Sequence, residues 1–256
     1  MQTRKRIAVA GATGRVGHHV VDVLRERGHH VVPISRATGV DVITKDGLAG
    51  ALQGVDAVVD TATGPSAEEE PATAFFTTAA RNLQEEGRRA GVQRIVGVSI
   101  IGTDRFTGGY GAAKLAHERA LQAGPVPARI LRAAQFHEFV AQLMEWGRQG
   151  NVVYVPEMRM QPVAARAVGE ALADLATTDA PALDPIPEIA SPREEQLVEL
   201  ARQLAARHNE PVQIQGVHDP NDAELYESGG LLPGPHGTLA GPTFAEWLVQ
   251  TYPVRT

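Results

Sequence analysis

One short stretch near the start, Gly11-Ala12-Thr13-Gly14-Arg15-Val16-Gly17, constrains the fold more than any other part of the chain. An apolar run, Ile7-Ala8-Val9-Ala10, precedes it. An amphipathic stretch from Val16 to Arg27 follows, with Val16, Val20, Val23 and Leu24 on one stripe. A buried strand, a glycine turn and a helix in that order open a βαβ unit. Glycine suits such a turn because the backbone bends tightly, approaches a ligand and lets the helix pack close to the strand. The helix N-terminus then offers N–H groups and a partial positive charge to phosphate. The loop therefore reads as a cradle for the pyrophosphate of a dinucleotide, with Gly11, Thr13, Gly14, Arg15, Val16 and Gly17 as contacts. Its first glycine interval is one residue longer than the usual fingerprint, and the Gly-Lys-Ser/Thr ending of a nucleotide triphosphatase loop is absent.

The alternation continues. Val31-Val32-Pro33-Ile34 reads as a second strand, its proline pointing to a kink or an edge, and Val40-Asp41-Val42-Ile43 as a short third. Ala57-Val58-Val59-Asp60 is a fourth strand and Arg94 to Ile100 a fifth. A long helix from about Glu69 to Ala90 is stopped by Gly91. Further helices are expected over Thr107 to Gln122, Ala134 to Trp146, Val163 to Thr177 and Leu197 to His208. Extended segments are expected over Ala128 to Leu131, Val152 to Val155 and Val212 to Val217, while Pro181, Pro185 and Pro187 break the chain. Together these predict an α/β fold: a Rossmann-type doubly wound parallel sheet with a small C-terminal substrate lobe. Residues 1–150 would form the dinucleotide-binding core, and 151–256 would complete the sheet and add the lobe, as one compact unit.

Composition narrows the function. A net charge of -6 argues against nucleic acid as a partner. The absence of cysteine excludes disulfides, thiolate metal sites and cysteine nucleophiles. The start, Met1-Gln2-Thr3-Arg4-Lys5-Arg6, is basic but leads directly into a strand, and no apolar run is long enough to span a membrane, so a cytoplasmic location is expected. Where an acid would bind the ribose 2′-hydroxyl of NAD, at the end of the second strand, stands Ser35-Arg36. Arg36, with Arg15, suits a 2′-phosphate, so NADP is expected ahead of NAD. Asp41 and Val42 are placed to border the adenine.

The chain has three lysines, and one of them, Lys114, stands four residues after Tyr110. That spacing puts both side chains on one face of a helix. An ammonium near a phenol favours the phenolate, so the tyrosine could exchange a proton with a substrate oxygen near neutral pH. Ser99 ends the fifth strand, at the edge where ligands of open α/β sheets bind. Taken alone it is an ordinary polar strand end, and a hydrolase elbow fails because Ile101 stands where glycine is required.

With these motifs in place, the sequence resembles the atypical short-chain dehydrogenase/reductase group, in its NmrA-like branch of NAD(P)H-binding proteins. The resemblance is carried by the glycine loop, Val98-Ser99-Ile100-Ile101-Gly102, Tyr110-Gly111-Ala112-Ala113-Lys114, Leu131-Arg132-Ala133-Ala134-Gln135-Phe136-His137, and Gln161-Pro162-Val163-Ala164-Ala165-Arg166-Ala167-Val168. It implies Tyr110 as acid/base, Lys114 as its partner and a ribose ligand, and Ser99 as holder of the substrate oxygen. It also implies cofactor contacts from Thr61, Ala62 and Thr63 after the fourth strand, and from Gln135 after the sixth. No asparagine stands in the stretch Asp60-Thr61-Ala62-Thr63-Gly64.

None of the nine histidines shows a metal-ligand spacing, so no metal is expected. His137 lies near the expected nicotinamide position. Phe136, His137, Trp146 and Tyr154 are candidate substrate contacts, although aromatic and methionine side chains in this region suit a core equally well. The expected function is NAD(P)H-dependent reduction of a small or medium apolar carbonyl, quinone or imine, with Tyr110 donating the proton. The alternatives are a non-catalytic NAD(P)-sensing regulator and an isomerase or epimerase with bound cofactor. The expected partner is a small-molecule substrate, with no nucleic acid or membrane, and homo-oligomerisation left open.

Overall fold

A computed structural model describes residues 4–179 and 185–253. Met1, Gln2, Thr3 and Pro181 of the features above lie outside the described residues. In chain order the first elements are β1 (Arg6–Ala10), α1 (Gly17–Glu26), β2 (His30–Ile34), α2 (Leu48–Ala51), β3 (Ala57–Asp60) and α3 (Glu69–Ala90). Next come β4 (Arg94–Ile100), α4 (Gly109–Gln122), β5 (Ala128–Ala133), α5 (Phe139–Trp146), β6 (Arg148–Gln149), β7 (Val152–Pro156) and β8 (Arg159–Met160). The last are α6 (Ala165–Thr177), β9 (Glu188–Ala190), β10 (Glu195–Gln196), α7 (Leu197–Arg207), β11 (Gln213–Val217), α8 (Ala223–Glu227), β12 (Thr238–Leu239) and α9 (Phe244–Thr251).

The central sheet has seven strands in the order β12-β9-β5-β4-β3-β1-β2. β1 runs parallel to both β2 and β3, β3 to β4, and β9 to β12. Strands joined through helices pair in parallel, so the α/β Rossmann-type expectation holds. β2 is an edge strand, which suits Pro33 because a proline has no N–H to give to a further strand.

By its internal contacts the chain forms two compact units. The first comprises residues up to Arg132 together with Val168–Pro187, and the second Ala133–Ala167 together with the residues from Glu188 onward. The sequence boundary expected at 150/151 thus falls inside the second unit.

In the first unit β1 and β3 are apolar and buried almost throughout, as strands covered on both faces must be. Ala8, Ala10, Ile34, Leu48, Leu52, Val58, Leu83, Ile95, Leu121 and Ile130 belong to one buried core. α1 buries Gly17, Val20, Val21, Val23 and Leu24, the stripe its periodicity predicts. α3 carries Glu69 and Glu70 in its first turn and Arg88 and Arg89 in its last, which complements the helix dipole, and it ends at Gly91 with φ +77°.

The third strand expected over Val40–Ile43 does not form, and Val42 and Ile43 lie in a turn. Asp41 Oδ1 accepts from the backbone N–H of Ile43 at 2.7 Å, and Asn82 Nδ2 donates to the carbonyls of Val42 and Ile43 at 2.8 and 2.9 Å. These side chains satisfy the backbone locally, so no neighbouring strand is needed.

In the second unit β7 pairs in parallel with β11 and antiparallel with β6, and β8 pairs antiparallel with β10. α5 starts later than Ala134, where a helix was expected, because the backbone before it is extended: Ala134 N donates to Ile189 O and His137 N to Val163 O. α9 begins with a capping box, Thr243 Oγ1 accepting from Glu246 N and Glu246 Oε2 accepting from Thr243 N. No helix among the described residues is long and apolar enough to cross a membrane.

Candidate functional site

The glycine loop is anchored before it reaches any ligand. The N–H groups of Gly11 and Ala12 donate to Ile34 O at 3.0 and 3.2 Å, and Gly14 N donates to Gly11 O at 2.8 Å. Thr61 closes the loop from below, its N–H and Oγ1 both donating to Ala10 O, at 3.0 and 2.7 Å. Gly11 has φ +73°, and a Cβ there would lie 2.7 Å from Thr61 O and 2.8 Å from Ala62. A Cβ on Gly17 would run into the carbonyl of Gly11. These glycines let β1, α1 and the end of β3 meet. Gly14 differs: a Cβ there would meet only Gly11 O, at 3.1 Å, so its hydrogen leaves open space beside the loop.

α1 begins at Gly17 with no side-chain cap and no acid in its first turn, so nothing on its own first turn neutralises the positive end of its dipole. Arg15 and Thr13 are exposed on the loop, and Val16 is buried beneath it. Arg36 starts a short 3-10 turn after β2, is exposed, and forms no ion pair among the described residues. Asp41 is half-buried with its carboxylate on its own turn, Val42 is buried in the core, and Thr63 is exposed. An anionic dinucleotide fits this chemistry: an unneutralised helix start, a loop kept open at Gly14, and two exposed arginines.

The Ser99, Tyr110 and Lys114 constellation also lies in the first unit, on the end of β4 and the first half of α4. Ser99 is 3% exposed, and its Oγ has no hydrogen-bond partner among the described residues. A buried hydroxyl without a partner is costly, so it is suited to receiving a polar atom from a ligand. Tyr110 stands in the first turn of α4 and is packed edge-on against Phe76, ring centroids 5.7 Å apart.

Lys114 does not act on Tyr110 as its spacing suggests. Its Nζ donates to Val98 O at 2.7 Å, lies 3.0 Å from His117 Nδ1, and sits 4.4 Å from the centroid of the Phe76 ring. Burial pushes its pKa down to about 8, against the opposing charges of Asp60 and Glu118. The expected lowering of the Tyr110 pKa is absent: burial of the phenol pushes it up.

Two groups went unmarked by motif. His117 is buried on α4, three residues after Lys114 and seven after Tyr110, hence on the same face. Its Nε2 lies 2.9 Å from Asp60 Oδ2, and Asp60 Oδ1 accepts from Ala62 N at 3.1 Å. Burial opposes ionisation of Asp60, but the hydrogen bond and charge from His117, with Ala62 and Lys114, hold its carboxyl below the usual range. Burial, reinforced by the Lys114 charge, lowers the His117 pKa despite Asp60. Phe76 packs on the network, stacked on His117 at 5.0 Å. Beside it, Arg132 grips Glu118 with Nε and Nη2 at 3.0 and 2.9 Å, and reaches Asp104 with Nη1 at 3.2 Å.

Gln135, Phe136, His137, Trp146 and Tyr154 belong to the second unit. Gln135 has a buried Oε1 without a hydrogen-bond partner among the described residues, and Phe136 bridges to Val163. His137 is fully buried, with Nε2 3.0 Å from Pro242 O and its ring 5.4 Å from those of Phe244 and Trp247. Its pKa falls to about 4 through burial, so the ring is neutral at ordinary pH. Trp146 is 61% exposed against Phe139, and Tyr154 is half-buried in β7.

Fold and loop together define a Rossmann-type nucleotide-binding protein. The model of a family described as NAD(P)H-binding matches residues 11–178, and the chain belongs to that family. This bears out the NAD(P)H-binding family that the resemblance implied, and the solved structures below share its fold. No curated protein sequence matches the chain significantly.

Among solved structures, a UDP-N-acetylglucosamine 4-epimerase from Bacillus cereus is similar with a TM-score of 0.71 and 17% identity, over 97% of this chain and 95% of that one. A triphenylmethane reductase from Citrobacter sp., complexed with NADP(H), is similar with a TM-score of 0.64 and 18% identity, over 96% of this chain and 99% of that one. An NADPH-dependent quinone oxidoreductase from Escherichia coli gives 0.63 and 18%, over 96% and 99%. At these identities the likeness is one of fold.

Proposed function

We propose that the protein is an NADPH-dependent oxidoreductase that reduces a small or medium apolar carbonyl, quinone or imine in the cytoplasm. The carrying observation is a continuous path within one unit. It runs, by hydrogen bonds and chain neighbours, from Ala10 beside the glycine loop through Thr61 and Asp60 to His117, Lys114 and Val98 O, next to Ser99. Cofactor-binding and catalytic candidates thus share one framework. A bound nicotinamide would supply hydride. Ser99 Oγ, buried and without a hydrogen-bond partner among the described residues, would hold the substrate oxygen. Tyr110, whose phenol burial keeps protonated, would then deliver the proton. A raised phenol pKa suits an acid acting in the reductive direction better than a base.

One observation favours a second reading, a non-catalytic dinucleotide sensor: the Lys114 ammonium is engaged with Val98 and His117. An epimerase keeping its cofactor bound would use the same loop. A panel of carbonyls and quinones, followed by NADPH absorbance, tests the proposal. Turnover on at least one substrate is expected, with Tyr110→Phe lowering it about a hundredfold or more while NADPH affinity is kept. Full activity of Tyr110→Phe would remove the tyrosine from the mechanism, and NADPH binding without any turnover would favour the sensor.

A further inference from the structure

Lys114 is 4% exposed, an unusual place for an ammonium, and Asp60 and His117 are each 1% exposed. A buried charge needs a counter-charge and complete hydrogen bonding, yet among the described residues no carboxylate oxygen is hydrogen-bonded to Lys114 Nζ. The imidazole of His117 closes the gap. An ammonium only donates, so His117 Nδ1 accepts at 3.0 Å, which leaves the proton on Nε2 to donate to Asp60 Oδ2 at 2.9 Å. The result is an ion pair bridged by a neutral ring, tied at one end to Ala62 N and at the other to Val98 O.

We propose that Asp60 and His117 are positioning residues that keep Lys114 charged and directed at the end of β4, and thereby set the pH range in which the dinucleotide is held. The part concerning the dinucleotide rests on the functional reading above; the part concerning Lys114 stands without it. The groups facing the ammonium are Asp60 from β3, His117 and Glu118 from α4, the Phe76 ring from α3, and the Val98 carbonyl from β4; Tyr110 packs on the edge of the same Phe76 ring. Glu118 is itself engaged by Arg132 of β5, which also reaches Asp104, so Asp60 is the carboxylate left to balance Lys114. The sign follows. With the ammonium required, binding is full below the Lys114 pKa of about 8 and weakens as pH rises through it. Removing the Asp60 charge or the imidazole bridge lowers that pKa further, so the weakening begins at lower pH.

The chain's three lysines make the test direct, because a protein labelled at lysine Cε gives three resonances. Lys114 is expected to titrate near 8, whereas the hydrogen bond to Glu85 shifts Lys45 upward. Asp60→Asn and His117→Leu should each move its midpoint down by about one unit or more. His117→Gln, whose amide can accept and donate across the same gap, should keep it near the wild type. NADPH affinity measured against pH should show its alkaline loss displaced acidward by the same interval. Unmoved Lys114 midpoints in folded Asp60→Asn and His117→Leu would overturn the proposal. So would an identical shift in His117→Gln and His117→Leu. Lys114 shifts as predicted without any turnover would leave the network standing and reject only the oxidoreductase reading. The wild type provides a check should the variants fail to fold. Nitrogen-correlated spectra must show His117 protonated at Nε2 alone, and a proton on Nδ1 would contradict the bridge.

Discussion

Gly11, Gly14 and Gly17 look alike in the sequence but do different things. Cβ atoms at Gly11 or Gly17 would strike backbone, while one at Gly14 would meet a single carbonyl at 3.1 Å. Two of the three therefore build the turn, and the third leaves room beside it. On the proposed reading the choice of dinucleotide turns on Arg36, which is exposed after the end of β2. A charge-assisted contact to a 2′-phosphate is worth about 1.5–3 kcal/mol, so Arg36→Ala should cost roughly tenfold to a hundredfold in NADPH affinity and spare NADH. Equal losses for the two, measured by calorimetry, would show that Arg36 does not read the 2′ position. The spacing of Tyr110 and Lys114 was legible as a shared helix face, but the direction of the ammonium was not. It is set by His117 and by Asp60, the latter 57 residues from its partner in the chain. Nothing local in the sequence connects those two.

Elements whose partners are local were legible, and those settled by distant contacts were not. β1, the glycine loop and α1 follow one another, and their order alone predicts them. The Val40–Ile43 segment has the residue types of a strand, but Asn82, 40 residues from Val42, takes its carbonyls and leaves a turn. The start of α5 is likewise delayed by backbone bonds to Val163 and Ile189. His137, expected to face substrate, joins the segment after β5 to the start of α9 by way of Pro242, Phe244 and Trp247. Its folded-state pKa of about 4 lies below the ordinary 6.5, so the unfolded chain binds more protons between those values. The stability that the neutral ring contributes is whole above pH 6.5 and lost as pH falls toward 4. Over that window the wild type should lose on the order of 1–3 kcal/mol more than His137→Leu, by denaturant unfolding at each pH. Parallel losses in the two proteins would show that His137 does not titrate on unfolding.

At the scale of the whole molecule, the glycine loop, Arg15, Arg36 and the Ser99, Tyr110 and Lys114 constellation all lie in one compact unit. The family match, over residues 11–178, begins at the first glycine of the loop. The general plan was legible because alternating strands and helices leave few ways to close a parallel sheet. The division into units was less so, since Val168–Pro187 returns to the first unit after the chain has entered the second. On the proposed reading, the loop after β1 holds the pyrophosphate of a nicotinamide dinucleotide. Titration calorimetry of NADPH into the wild type and Gly14→Val tests it most directly. The wild type should bind. The variant should lose roughly a hundredfold or more in affinity with its thermal unfolding little changed, because the added side chain occupies the open side of the loop. A wild type that binds no NADPH, or a Gly14→Val variant that binds it equally well, would mean that the loop does not hold the pyrophosphate.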